Sequence, residues 1–123
     1  MRFIDSNVLA YAFYENKNKE RCQEIIKEGG IINTLNLIEA YNIIQFESDA
    51  DRATRSIRSL LKANLNIVGV DINIVFEALK RTGKYRKLRF IDLVNYVTAL
   101  LHNCTELASY DADFDGLEIK RIT

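Results

Sequence analysis

Proline is absent from the 123 residues, and no internal repeat or low-complexity tract interrupts them. Linkers between domains usually show themselves through such tracts, so residues 1–123 read as one domain, long enough to bury a core without staples. Cysteine is scarce. Cys22 and Cys104 lie far apart and outside any CxxC or His-flanked pattern, which argues against a disulfide framework and structural zinc. Long apolar runs are also missing, since stretches such as Val8 to Tyr14 fall short of the ~20 residues a bilayer demands. Asp5 and Asn7 break the first apolar run, so no signal peptide is read there, and a cytoplasmic protein without membrane contact is expected. Neither sign of charge is in excess. Lys plus Arg equals Asp plus Glu at 17 each, which excludes a global positive field and leaves nucleic-acid binding to local patches. The chain also lacks a Ser/His/Asp arrangement and a glycine-rich phosphate loop. Its only histidine, His102, lies near a helix end, where a solvent-facing or dipole-stabilised role is the ordinary one.

What is present is an ordinary globular composition, 48% hydrophobic and 28% charged, arranged as strands alternating with helices. Arg2-Phe3-Ile4 reads as a strand, and Asp5-Ser6-Asn7 offers cap side chains to an apolar helix from Val8 to Tyr14. A charged helix spans Lys17 to Glu28 and stops at Gly29-Gly30. Strand "IINT" (31–34) leads into a strongly apolar helix over 35–46, and a further helix covers 49–64. "NIVGV" (66–70) is a strand, 72–81 and 91–103 are helices, and "ELAS" and "LEIKRI" (117–122) are closing strands. Such alternation predicts an α/β sandwich with a mainly parallel sheet of four to five short strands.

In sheets of this kind sites lie beyond the carboxyl ends of the strands, and that is where acids gather. Asp5 closes the first strand, and Asp111 follows the apolar part of "ELAS". Glu39 stands about one turn into its helix, only ~5.4 Å along the axis, and Asp92 occupies the opening turn of helix 91–103. Four acids from distant segments therefore share a meeting place. Two unit charges ~4 Å apart repel by about 4 kcal/mol at an effective dielectric near 20, so cations or protons must compensate. Hard oxygen ligands with room for water select Mg²⁺ or Mn²⁺, and ions so held hydrolyse phosphodiesters. Each acid also has a plainer role: Asp5 and Asp92 as caps, Glu39 on a solvated face with Asn36 and Asn42, Asp113 and Asp115 as turn residues. Asp71 too ends a strand, and is read as a cap.

The opening "FIDSNVLAYAF", the segment "NTLNLIEAYNII" and the closing "LRFIDLVNYVTALLHNCTELASYDADFDGLEIKRI" together resemble the PIN-domain family, above all the compact VapC-like toxin ribonucleases of toxin–antitoxin systems. The resemblance covers essentially the whole chain. It implies a PIN-like, Rossmann-like α/β/α sandwich and a metal-dependent endoribonuclease, with the family's acidic quartet on Asp5, Glu39, Asp92 and Asp111. Asp113 is implied as an auxiliary acid, and Asn7 and Ser109 as side chains that orient the carboxylates or a bound water. The dense acid run after Tyr110 leaves open whether the fourth acid is Asp111 or Asp113. The family also implies a homodimer and, in its toxin members, a small antitoxin over the active groove.

RNA would need bases near this acidic site, because phosphate contacts supply most non-specific affinity. Two groups qualify: Arg52, Arg55, Arg58 and Lys62 on one helix face, and Lys84, Arg86, Lys87 and Arg89 with Tyr85 among them. The rival readings differ in chemistry. A non-catalytic PIN-fold RNA-binding or assembly subunit would tend to lose acids of the quartet. A phosphoacceptor receiver domain would want an acidic pair after the first strand and a late lysine, and Asp111 to Gly116 contains none. A dehalogenase-like phosphatase would want Asp-x-Asp where this chain has Asp5-Ser6-Asn7.

Overall fold

The computed structural model describes residues 1–123. Five strands, β1 (Arg2–Ile4), β2 (Gly30–Asn33), β3 (Leu65–Val68), β4 (Glu106–Ala108) and β5 (Lys120–Ile122), form one sheet in the order β3-β2-β1-β4-β5. Every neighbouring pair is parallel. Parallel neighbours need crossovers, which α1 (Ser6–Tyr11), α2 (Lys19–Glu28), α3 (Thr34–Glu47), α4 (Ala50–Leu61), α5 (Ile72–Leu79) and α6 (Phe90–Leu101) supply. The passage from β4 to β5 is the exception, holding only a 3-10 turn at Ala112–Phe114.

Both faces of the sheet are covered, and strand alternation decides which side chain goes where. Phe3, Ile31 and Leu107 point to the face packed by Ile74, Ala78, Leu93 and Val97 of α5 and α6. Ile4, Ile32 and Ala108 point to the other, against Val8, Leu9, Ile25, Ala40, Ile44, Ala53 and Leu60 of α1 to α4. The result is an α/β/α sandwich. Cys22 and Cys104 are buried free thiols on opposite faces. No helix is long and apolar enough to cross a membrane.

Most element boundaries differ from the sequence expectation by a few residues. Helix α1 stops at Tyr11 instead of Tyr14, because the Asn16 side-chain amide donates to the carbonyls of Tyr11 (2.9 Å) and Tyr14 (2.7 Å) and closes the chain into a turn. The helix expected over 49–64 ends at Leu61. The last strand begins at Lys120, not 117, since Glu118 is drawn away to accept from the hydroxyls of Tyr85 (2.7 Å) and Tyr96 (3.0 Å).

Gly29 ends α2 with φ 90° and ψ 176°, a conformation essentially reserved for glycine, and a Cβ there would stand 2.8 Å from the Asn64 carbonyl oxygen. Gly29→Ala is therefore expected to destabilise the fold by about 1–3 kcal/mol, measured as a lower urea midpoint at unchanged slope.

Candidate active site

The chain leaves β1 towards β2 on one side and leaves β4 towards β5 on the other, so a crevice opens between the carboxyl ends of β1 and β4. Asp5 and Ser109 are the first residues beyond those ends. The Asp5 amide continues the ladder to the Ala108 carbonyl at 2.9 Å, which fixes its side chain at the mouth of the crevice. One carboxylate oxygen accepts from the Ser6 amide at 2.8 Å, capping α1, and the other accepts from the Ser109 hydroxyl at 2.7 Å. Ser109 in turn accepts from the Asp111 amide at 3.0 Å and, at 3.5 Å, from the Asn7 side-chain amide. Asn7 accepts from the Tyr110 amide at 3.3 Å, so it ties the end of β4 to α1.

Glu39 reaches the same crevice from α3, where its Oε1 accepts from the Ser6 hydroxyl at 2.7 Å and the Asn95 amide at 3.2 Å. Asp92 lies buried in the first turn of α6, 3.3 Å from the Nε of Arg89. Asp111 caps the 3-10 turn by accepting from the Asp113 amide at 2.9 Å.

Electrostatics joins these four acids into one cluster. Burial pushes the Asp5 carboxyl up to about 6 against the pull of its Ser109 and Ser6 hydrogen bonds, and the charges of Glu39 and Asp92 push further. Burial also raises Asp92; Arg89 opposes the rise, while Asp111 and Glu39 add to it. No three of the carboxylates are arranged to hold one ion in common, because each is tied to a serine, an asparagine, an amide or Arg89. The donor set still suits Mg²⁺ or Mn²⁺, which are oxygen-seeking and keep several waters while using one or two carboxylates. Asp5 and Asp92, pushed upwards chiefly by burial and further by neighbouring negative charge, are the groups such an ion would relieve. The cluster does not occupy the largest hollow of the molecule. That one, about 610 Å³, opens at the amino edge of the sheet among Arg2, Glu28, Asn64, Asn66 and Glu106.

The remaining candidates are sorted by the same geometry. Asp113 is exposed and its carboxylate has no partner, whereas Asp111 is the acid of the turn that faces Asp92 and Arg89. Asp115 forms a two-pronged pair with Arg121 at 2.6 and 3.1 Å. Asp71 caps α5 through the Ile74 amide, and His102 ends α6 with its Nδ1 at 2.9 Å from the Thr98 carbonyl. Arg52, Arg55, Arg58 and Lys62 are exposed on α4, with no ion pair or hydrogen bond to the four acids. Arg86 and Lys87 are exposed on the segment before α6; Lys87 acts on Asp115, so this group borders the acidic turn.

Several site residues escaped the sequence. Asn36, expected on a solvated face with Glu39, is fully buried, and only Asn42 of that pair is exposed. Asn36 donates to Ser6 (3.0 Å) and Asn95 (3.2 Å), and Asn33 donates to Asn95 and Thr98, both at 3.0 Å. The signal was a polar stripe, Asp92, Asn95 and Thr98, on a helix otherwise apolar all round.

The PIN domain family profile matches residues 2–120. No curated protein matches the chain. Among solved structures, VapC20 of Mycobacterium tuberculosis, a toxin that cleaves the Sarcin-Ricin loop, superposes with TM-score 0.82 at 11% identity over 97% of this chain and 98% of its own. A toxin–antitoxin complex from Klebsiella pneumoniae gives 0.74 at 20% identity, covering 100% and 97%. VapBC2 from Rickettsia felis, bound to a DNA fragment from its promoter, gives 0.74 at 13%, covering 98% and 96%. At such identities the likeness is one of fold.

The buried Asp5 carries a stability consequence with a definite sign. Its folded pKa of about 6 exceeds the ordinary value of 3.8, so between those limits the folded chain holds a proton that the unfolded chain has released. Stability from this group is intact at low pH, falls as pH rises through that window, and is flat above it. Asp5→Asn keeps a carbonyl for the Ser6 amide and removes the buried charge. In EDTA it is expected to stabilise the protein by on the order of 1–3 kcal/mol at pH 7.5 and by much less at pH 4, read from denaturant midpoints.

Proposed function

The chain belongs to the PIN-domain family, and on that premise we propose that it is a Mg²⁺- or Mn²⁺-dependent endoribonuclease, the toxin of a toxin–antitoxin pair in the cytoplasm. The observation that carries this reading is the convergence of Asp5, Glu39, Asp92 and Asp111 at the sheet's switch point, with Asp5 and Asp92 raised by burial and by one another's neighbours. From these four the ion would take one or two direct ligands and complete its shell with waters, with the exposed Asp113 adding negative charge at the mouth. When bound, a divalent ion supplies a water of lowered pKa and neutralises charge on the phosphate. Ser109 and Asn7 keep Asp5 and the Asp111 turn in register, and Ser6 with Asn95 holds Glu39 towards the same point. Arg86 and Lys87 beside the site, and the unpaired stripe Arg52, Arg55, Arg58 and Lys62, are the RNA contacts.

Two exposed apolar faces accommodate the partners. On α3 and α4 a groove lined by Leu37, Ile38, Tyr41 and Ile57 lies beside the basic stripe, and Phe46 on α3 is 87% exposed. An antitoxin segment that is apolar on one side and acidic on the other would suit it. On α5, Ile72, Phe76 and Leu79 form an exposed ridge, which suits a second copy of the chain.

The activity is tested on a fluorescent single-stranded RNA. Cleavage is expected with Mn²⁺ or Mg²⁺, none in EDTA, and roughly a hundredfold loss or more in Asp5→Asn and Asp92→Asn, since several kcal/mol of charge stabilisation go with the ion. Stoichiometric RNA binding without turnover would instead make the chain a non-catalytic RNA-binding subunit. Phe76→Glu is expected to convert the dimer to monomer in sedimentation experiments while leaving the thermal midpoint nearly unchanged, because the side chain is 61% exposed in the single chain.

A further inference from the structure

The segment before α6 is anchored firmly and ends in one loosely held cation. Lys84 pairs with Glu118 at 2.9 Å, Tyr85 donates to the same carboxylate at 2.7 Å, and the buried Tyr85 ring packs on Tyr96 with centroids 5.2 Å apart. These contacts hold Glu118 well below the usual carboxylate range, at about 2, so the anchor stays charged. Leu88 is buried, and its amide donates to the Tyr85 carbonyl at 3.1 Å. The backbone that delivers Arg89 is thus fixed at the N-terminus of α6.

The Arg89 side chain is not fixed in the same way. It is 79% exposed, while that of its partner Asp92 is only 8% exposed. Its one hydrogen bond runs from Nε to Asp92 at 3.3 Å, and neither Nη has a protein partner. No other Lys or Arg forms an ion pair with Asp5, Glu39, Asp92 or Asp111; Arg121 also acts on Asp111, but its guanidinium is committed to Asp115. A guanidinium fork matches a phosphate in two-pronged fashion, whereas a single contact from an exposed side chain is a weak pair.

We propose that Arg89 binds a substrate phosphate and, in doing so, lets go of Asp92, so that RNA and the divalent cation bind cooperatively. In the free protein the guanidinium competes with the cation for Asp92. A phosphate arriving at the crevice takes the guanidinium away and leaves the buried carboxylate to the ion. Linkage then requires that the ion tighten RNA by the same factor as RNA tightens the ion. A residue that merely touched phosphate would change RNA affinity and leave cation affinity in free protein alone. The proposal rests on the nuclease reading and adds an order of exchange within that site.

The test measures Mn²⁺ affinity of the full chain by EPR of free Mn²⁺, with and without a 2′-O-methyl oligonucleotide that cannot be cleaved. Arg89→Gln is expected to bind Mn²⁺ about twofold to fivefold more tightly than wild type without oligonucleotide, as removal of an exposed competitor allows. The tightening caused by the oligonucleotide is expected to shrink in that variant. Arg89→Lys keeps the charge near Asp92 without the fork, so its Mn²⁺ affinity should stay near wild type while the coupling falls. Arg86→Gln, a neighbouring exposed cation without contact to Asp92, should weaken the oligonucleotide and leave Mn²⁺ unchanged. Equal Mn²⁺ affinity in wild type and Arg89→Gln, with equal coupling, overturns the exchange while the nuclease reading stands. If neither protein binds Mn²⁺, both fall.

Discussion

A carboxylate buried among like charges is the constraint around which this molecule is arranged. Asp5 is 6% exposed and sits where three other acids act on it or on each other. A buried charge left unpaired is costly, so its surroundings must supply donors with good geometry. The Ser6 amide and Ser109 hydroxyl do so for Asp5, and a buried web of Asn33, Asn36, Asn95 and Thr98 does so around Glu39. That web is satisfied throughout. The one buried side-chain polar atom without a hydrogen bond is the Arg2 Nε at the opposite edge of the sheet, and it lies 3.6 Å from Glu106.

Topology and chemistry are coupled through the β4 to β5 connection. A helical crossover there would carry Asp111 away from the crevice, whereas the short 3-10 turn keeps it over Ser109. Arg121 braces this turn from β5, donating to the Ser109 carbonyl at 3.0 Å and gripping Asp115 with two prongs. The three aspartates of "DADFD" thereby divide their roles by direction: Asp111 inward, Asp113 to solvent, Asp115 back onto the sheet. Arg121 also holds the Asp115 carboxyl below its ordinary value, so the brace persists to mildly acidic pH.

Asp5, Glu39, Asp92 and Asp111 were legible as candidates, because strand ends and the early turns of helices follow from period and capping, but the same rules also offered Asp71 and Asp113, and the choice among them came from the resemblance to the PIN-domain family. The parallel sheet was legible for a similar reason, through short apolar runs separated by helical spacing. The web behind the acids was not. Ser6, Glu39 and Asn95 meet across sequence separations of 33 and 56 residues, and nothing in the local pattern of α3 tells Asn36, which is buried, from Asn42, which is exposed. Arg89 was hidden differently, as one base in a run of bases. Its Nε contact with Asp92 separates it from Arg86 and Lys87, and the Glu118 anchor, which consumes Lys84, fixes the backbone that delivers it.

The burial that makes Asp5 costly is also what would make it useful. An aspartate open to water ionises freely, yet its attraction to a cation is screened at high dielectric, and its orientation is lost to solvent. Removing water strengthens the attraction and fixes the direction of the oxygens, at the expense of pushing the carboxyl up to about 6. That value remains below neutrality, so at cellular pH the group is mostly ionised without being comfortable. The Ser109 and Ser6 donors pull the carboxyl down against burial, and the upward push that remains, from desolvation first and from Glu39 and Asp92 after it, is what a divalent counter-ion would relieve. Arg89 offsets part of that push only from the exposed side, so in the proposed exchange an anion arriving from outside would meet the guanidinium before it met the acids.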